Sequence, residues 1–294
     1  MKIKTAWILV KETVADWQAD KVSLWAAALA YYTAFSLAPL LIIAIAIAGA
    51  VFGEEAARGE IVGQIQGLVG KQGAEAIQTM LQNTQRPGSG GFVATIIGIV
   101  TLLLGASGVF GQLQEALNTI WHVKPKPNLG IKAFVQDRFL SFAMVIVIGF
   151  LLLVSLVLSA AIAGVSHFVD DAFQGFAIVG QIINFAISLV VITFLFALIY
   201  KVLPDVKIPW RYLWTGSVIT ALLFNIGKFF ISYYLGSSSV ASTYSAAASL
   251  GIILIWVYYS AQILLLGAEF IKVYVRRYAP ERVKPTNNAI LIDQ

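Results

Sequence analysis

Lys228 is the deepest ionisable residue in this chain. It separates two stretches, Tyr212–Gly227 and Phe229–Ala268, that hold no Asp, Glu, Lys or Arg. It lies 16 residues beyond Tyr212, roughly 24 Å along a helix at about 1.5 Å per residue. Its ammonium either snorkels to the outer interface or faces a bundle interior. An ionisable group at membrane depth is a functional candidate because its desolvation must be offset by a partner or by water. Glu115 and Glu269 lie at the inner ends of the Pro87–Gln114 and Phe229–Ala268 stretches, the second and sixth spans, and Asp205 and Arg138 sit at the same level. With Lys201 or Arg211 these residues can form a charged cluster at one mouth. On one reading the cluster is a gate or a cation site. On the other it is a set of interfacial salt bridges that fix helix ends. Tyr31, Tyr32, Pro39 and Tyr244 complete the candidate set, since Tyr and Lys suit an amphipathic ligand with an anionic head.

Catalytic chemistry finds little support. The chain has no Cys, which excludes disulfides, zinc-thiolate sites and Cys nucleophiles. His122 and His167 are its only imidazoles, whereas metal hydrolases need clustered His and carboxylate ligands. His167 beside Asp170 and Asp171 reads as a solvated turn. No GxSxG, HExxH, P-loop or helix-opening GxGxxG motif is present, nor a basic-aromatic platform for nucleic acid. The chain is therefore expected not to be an enzyme, and to need no metal, cofactor or nucleic-acid partner.

The elements that position these residues are long and apolar. Of 294 residues, 59% are hydrophobic and 12% charged, against roughly 25% charged in ordinary globular domains. Six stretches carry no charge: Val22–Gly53, Pro87–Gln114, Phe139–Val169, Ala172–Tyr200, Tyr212–Gly227 and Phe229–Ala268. About 20 apolar residues cross a bilayer core. The expected fold is all-α, a polytopic membrane protein in one integral domain. Its six transmembrane helices fall at about 23–52, 92–114, 139–163, 176–200, 212–235 and 245–268. An amphipathic N-terminal helix (1–21), a helical outer loop (54–91) and a tail (270–294) complete it.

The net charge of +5 is a topology signal. Of the 20 Lys and Arg, 16 fall in the N-terminal segment, the gaps after spans two and four, and the C-terminal tail. The alternate gaps hold only Arg58, Lys71 and Arg86. Because Lys and Arg concentrate in cytoplasmic loops, both termini are expected inside, in a multi-pass protein of the bacterial inner membrane. The acidic residues Glu12, Asp16 and Asp20 exclude a signal peptide. Ile3, Trp7, Val10, Val14 and Trp17 recur at helical spacing, which suggests a helix lying on the cytoplasmic face or one packed against the bundle.

Several local features refine this map. Ser23 is expected to cap the first span. Pro39 lacks the amide proton that would bond one turn back, so the helix kinks there or its first segment, Leu24–Ser36, lies partly outside the hydrocarbon. In Glu54–Arg86, Ile61, Ile65, Leu68, Val69, Ile77, Met80 and Leu81 follow helical spacing. Gly98, Gly105, Gly108 and Gly111 put a smooth packing strip on span two. That strip can serve packing within one chain or an oligomer. The outer turn from Gly236 to Ser245 is small and polar, and either lines a water-filled entry or is an ordinary turn.

Four segments resemble the YihY/BrkB family of bacterial inner-membrane proteins: Ala26-AALAYYTAFSLAPLL, Gly105-ASGVFGQLQEALNTIW, Tyr200-KVLPDVKIPW and Leu254-IWVYYSAQILLLGAE. The resemblance covers roughly Asp20 to Glu269 and implies six helices with both termini in the cytoplasm. It places the family pattern at Asp20, Tyr31, Tyr32, Pro39, Gln112, Glu115, Asn118, Trp121, Pro204, Lys228, Tyr244, Trp256, Tyr258 and Glu269. Relatives often read Tyr-Gly-Ala before the last span. Here Tyr244-Ser-Ala246 stands instead, which argues against a glycine-specific turn. Some relatives have been labelled ribonuclease BN, a label these residues do not support. The resemblance also implies a link to envelope integrity, serum resistance and export of lipids or small solutes.

The leading expectation is a membrane transport or export protein that moves or binds a lipid-like or small amphipathic solute, with membrane lipids as partners, in support of the cell envelope. The alternative is a non-transporting envelope scaffold that binds partners through the outer loop or the N-terminal helix.

Overall fold

The computed structural model describes residues 3–53, isolated positions between 55 and 78, and residues 108–126, 176–237 and 245–292. Helix α1 covers Ile3–Ala19 and α2 covers Val22–Phe52. A helix over 108–120, α3, leads into strand β1, Val123–Pro125. Helix α4, Phe176–Val202, is followed by β2, Val206–Lys207, and by α5, Trp210–Ser237. Helix α6, Ser245–Tyr278, precedes a short 3-10 turn, Pro280–Arg282, and the strands β3, Lys284–Pro285, and β4, Ala289–Leu291. The helical membrane architecture expected from the sequence is present. The third expected span, most of the second, nearly all of the Glu54–Arg86 segment, Tyr244 and Arg138 lie outside the described residues.

Three described helices are long and apolar enough to cross a membrane, over Phe185–Val202, Trp210–Phe230 and Ile253–Tyr278; Val22–Leu37 is a shorter apolar stretch. Helices apolar on all sides are stable only when buried all round or placed in lipid. Here Val190, Ile226, Phe229, Phe230 and Ile255 are all more than half exposed. Their surroundings must therefore be hydrocarbon, and the chain is a membrane protein.

The first turn of α2 differs from expectation. Lys21, not Ser23, holds the position before the helix, in a left-handed conformation (φ 52°, ψ 42°) without a side-chain cap. The Leu24 amide donates to the Lys21 carbonyl, so Ser23 is already inside the helix. The turn between α1 and α2 is too tight to leave Ser23 a capping position. Helix α2 also runs unbroken through Pro39 to Phe52.

Helix α6 is the hub, packing against α2, α5 and α1, while α4 packs against α5. Glycines let α5 and α6 approach closely. A Cβ added at Gly216 would strike the Ile271 side chain, and one at Gly267 would strike Thr220 and the Tyr200 hydroxyl. The smooth surface expected on α3 divides. A Cβ added at Gly108 would lie 3.7 Å from Tyr32 and 3.9 Å from Ser36, ordinary contact distance, and one at Gly111 would meet nothing within 4 Å.

The well-packed core sits at the end of the bundle where Lys and Arg gather. Val22 and Ala26 of α2, Leu117 and Ile120 of α3, Tyr200 of α4, Leu213 of α5, and Leu265 and Ile271 of α6 meet there. The tail after α6 fastens this end. Strand β4 pairs antiparallel with β1, Val123 opposite Leu291, and β3 pairs with β2, Val206 opposite Pro285. The Thr286 amide donates to the Asp205 carbonyl at 2.8 Å, and the Ile292 amide donates to the His122 carbonyl at 2.8 Å. The tail thus holds the two turns that carry His122 and Asp205.

Candidate functional site

Two helices carry matching charge ladders. Glu12 and Asp16 on α1 and Asp20 just past its end follow one another every fourth residue; on α6, Lys272 and Arg276 do the same. Side chains four apart share a helix face, so two such ladders zip together when the helices pack. Arg276 Nη1 lies 2.9 Å from Asp16 Oδ2, and Arg277 Nη1 lies 3.3 Å from Glu12 Oε1. These outer pairs are partly exposed and contribute little, ~0–1 kcal/mol each.

The inner rung is different. Lys272 Nζ lies 2.5 Å from Asp20 Oδ2, 3.0 Å from Glu269 Oε2 and 3.5 Å from Asp16 Oδ2. His122, at the end of α3, brings Nε2 within 3.0 Å of Asp20 Oδ1. Glu269 is fully buried and Lys272 nearly so. The Lys272–Glu269 contact is at ion-pair distance but is not aligned as a hydrogen bond, and neither Glu269 oxygen has a hydrogen-bond partner. Removing an ion from water costs several kcal/mol. A network of this kind at the edge of an apolar bundle is a candidate functional site.

Backbone strain gathers at the same place. Lys21 and His122 are the only non-glycine residues with positive φ among those described (52° and 51°). A left-handed residue other than glycine costs about 1–2 kcal/mol. One follows Asp20 and the other is the imidazole that meets it. Strain of this kind collects where surrounding structure fixes functional groups.

Burial raises the Asp20 pKa, but hydrogen bonds from Lys272 and His122 outweigh burial and hold the carboxyl below its ordinary value of 3.8. A group whose folded pKa is depressed stabilises the fold above its unfolded pKa, and that contribution fades as pH falls through the folded value. The stability gap between the wild type and a variant in which Lys272 is replaced should therefore narrow as pH falls through the folded Asp20 value. A gap that stays constant from neutral pH into acid, measured by thermal unfolding, would contradict this.

The other candidate residues take separate places. Asp205, in the turn after α4, pairs with Asn118 of α3: Asn118 Nδ2 donates to Asp205 Oδ2 at 2.8 Å, and the Asp205 amide donates to Asn118 Oδ1 at 2.8 Å. Gln114 Nε2 adds a longer contact to Asp205 at 3.5 Å. Glu115 is exposed, as is Arg211. Lys201 donates to the Ile208 carbonyl at 2.7 Å and lies over the Trp210 ring. Of the acids and bases grouped by the sequence, Glu269 thus joins a network with Asp20 and Lys272, while Asp205 and Lys201 fix turns. Lys228 lies on α5 beside the exposed Phe229 and Phe230 and is itself half-buried. Tyr31 and Tyr32 are exposed on α2, and Tyr31 packs against Tyr32 edge to face and against Phe35. Pro39 lies within α2. Among the described residues, no group of three His, Asp or Glu is arranged to hold a metal ion.

Lys272, Asp16 and His122 were not among the site candidates drawn from the sequence. Lys272 read as one of several basic tail residues. The missed signal is the complementary four-residue spacing of acids on α1 and bases on α6, which becomes meaningful only once the two helices are known to touch.

Helix α1 is turned in an informative way. Its Leu9–Thr13 line is buried and Trp17 Nε1 donates to Gln262 of α6 at 3.1 Å. Trp7, Val10 and Val14 of the expected apolar stripe point outward, Trp7 70% exposed. The docked face carries Leu9, Thr13 and the acids, while Trp7, Val10 and Val14 are left uncovered, which suits an apolar exterior.

A family model described as virulence factor BrkB matches residues 13–290. A UPF0761 membrane protein of Verminephrobacter eiseniae is 27% identical over 268 residues, covering 89% of this chain and 61% of that protein. One from Glaesserella parasuis is 29% identical, covering 60% of this chain and 61% of its own length. One from Pseudoalteromonas translucida is 26% identical over 277 residues, covering 94% of this chain and 87% of its own. The chain spans about three fifths of the length of the first two of these relatives. No solved structure matches it.

Proposed function

We propose, from the premise that the chain belongs to the virulence factor BrkB family of membrane proteins, that it moves a lipid-like or small amphipathic solute across or out of the bilayer. The observation that carries this reading is the buried Asp20–Lys272–Glu269 network at the edge of an otherwise apolar bundle. A bundle that only had to be stable would do as well or better with apolar residues at those positions. The exposed aromatic strip Tyr31, Tyr32 and Phe35 on α2 offers rings and hydroxyls to a molecule that is part apolar and part polar. The distribution of Lys and Arg supports an inner-membrane protein with both termini and the network on the cytoplasmic side. The activity proposed is passage, without a covalent step, and its service is to the cell envelope.

The test is reconstitution of the full chain in liposomes with a panel of fluorescent phospholipids and small amphipathic anions. Protein-dependent movement of at least one is expected. Protein-free rates across the whole panel would overturn the reading. A scaffold remains the second reading, favoured by one observation, the exposed Trp7, Val10 and Val14 stripe of α1. Uniformly inert liposomes would favour it.

A further inference from the structure

We propose that Glu269 carries a proton at neutral pH and shares it with Asp20, which makes this turn of α6 a proton-binding site. This inference stands apart from the transport reading, since it concerns the charge state of the network whatever the chain moves.

Counting charges leads to it. Among the described residues, the groups facing Glu269 and Asp20 are Asp16 from α1, Lys272 from α6 itself and His122 from the end of α3. Helix α2 packs alongside but contains no charged residue. Asp16 is matched by Arg276 at 2.9 Å. That leaves Asp20 and Glu269 for one ammonium. With both acids ionised and His122 neutral, one negative charge is uncompensated where Glu269 has no access to water. A buried group in that position takes up a proton rather than remain charged.

The hydrogen bonds say which acid takes it. Asp20 accepts from Lys272 at 2.5 Å and meets His122 at 3.0 Å, both of which favour its ionised form. Glu269 accepts from nothing, although both its oxygens are buried. Its carboxyl and that of Asp20 meet the same Lys272 ammonium, at 3.0 and 2.5 Å. Two carboxylates are both acceptors, so they bond only when one of them holds a hydrogen. A neutral Glu269 donating to Asp20 gives its hydroxyl a partner and leaves Asp20 and Lys272 as a matched pair. When the proton leaves, Asp20 and Glu269 repel each other across the seam between α1 and α6. Release of the proton should therefore loosen α1.

Infrared difference spectra of the full chain in lipid nanodiscs test this. At neutral pH a protonated-carboxyl stretch is expected, and it should disappear on raising the pH. It should be missing from Glu269→Gln at neutral pH. In the wild-type protein it should shift when glutamate carboxyls are isotopically labelled, a result that does not depend on how well the variant folds. Amide hydrogen exchange in Ile3–Ala19 should rise over the pH interval in which the band is lost. A wild-type spectrum with no such band at neutral pH would place the proton on His122 and overturn the proposal. A band that survives Glu269→Gln, or ignores glutamate labelling, would also overturn it.

Discussion

Lys272→Met should destabilise the chain by about 3 kcal/mol or more, because removing one member of a buried ionic network leaves its partners uncompensated. Lys272 lies within 4 Å of three carboxylates and is the cation nearest to Asp20 and Glu269. Methionine keeps most of the side-chain volume, so the loss reports charge rather than a cavity. The effect should grow with pH, since the two acids can relieve their repulsion only by taking up protons. Thermal unfolding in detergent at neutral and alkaline pH measures it. A combined Lys272→Met, Asp20→Asn, Glu269→Gln variant should recover much of the loss, as buried ion groups replaced together often do. If Lys272→Met melted with the wild type, the network would be a surface arrangement without energetic weight.

Gly267→Ala should destabilise the chain by about 2 kcal/mol or more, from overpacking and broken hydrogen bonds. A Cβ at Gly267 would meet Thr220 Oγ1 and the Tyr200 hydroxyl. These groups have little freedom to move aside. Tyr200 is 1% exposed, its hydroxyl donates to the Leu264 carbonyl at 2.7 Å, and it lies 3.1 Å from Thr220 Oγ1. Thr220 in turn donates to the Gly216 carbonyl at 2.8 Å. The methyl group would push α5 away from α6 beside the charged network. Gly251→Ala on the same helix is the control, since a Cβ there meets nothing within 4 Å. Equal melting temperatures for the two variants would mean that α5 and α6 do not cross this closely.

The membrane class of this chain was legible because its cause is global. No arrangement in water could bury stretches such as Val22–Gly53 and Phe229–Ala268, whereas lipid accepts them without one. Local details were harder to read. Ser23 looked like a cap, yet the turn closes two residues earlier on a left-handed Lys21, a backbone state for which a Lys gives no warning. Helix α6 runs on past Glu269 to Tyr278, so Glu269 and Lys272 stand one turn apart on the same helix instead of on either side of its end. Glu269 could be singled out because an acid closing an apolar stretch is unusual by itself. Lys272 could not, because it is one base among several until Asp20 arrives from a helix some 250 positions away in the chain. The β pairings of the tail were hidden for a similar reason: the strands holding Val123 and Leu291 are short and separated by more than half the chain.

The most direct measurement is solute movement in liposomes by wild type and Glu269→Gln, at matched amounts of folded protein. The variant keeps the shape of a fully buried side chain but can neither ionise nor exchange a proton. Movement by the wild type and its loss in Glu269→Gln is the expected result. Wild-type rates in the variant would contradict the assignment of function to the buried network.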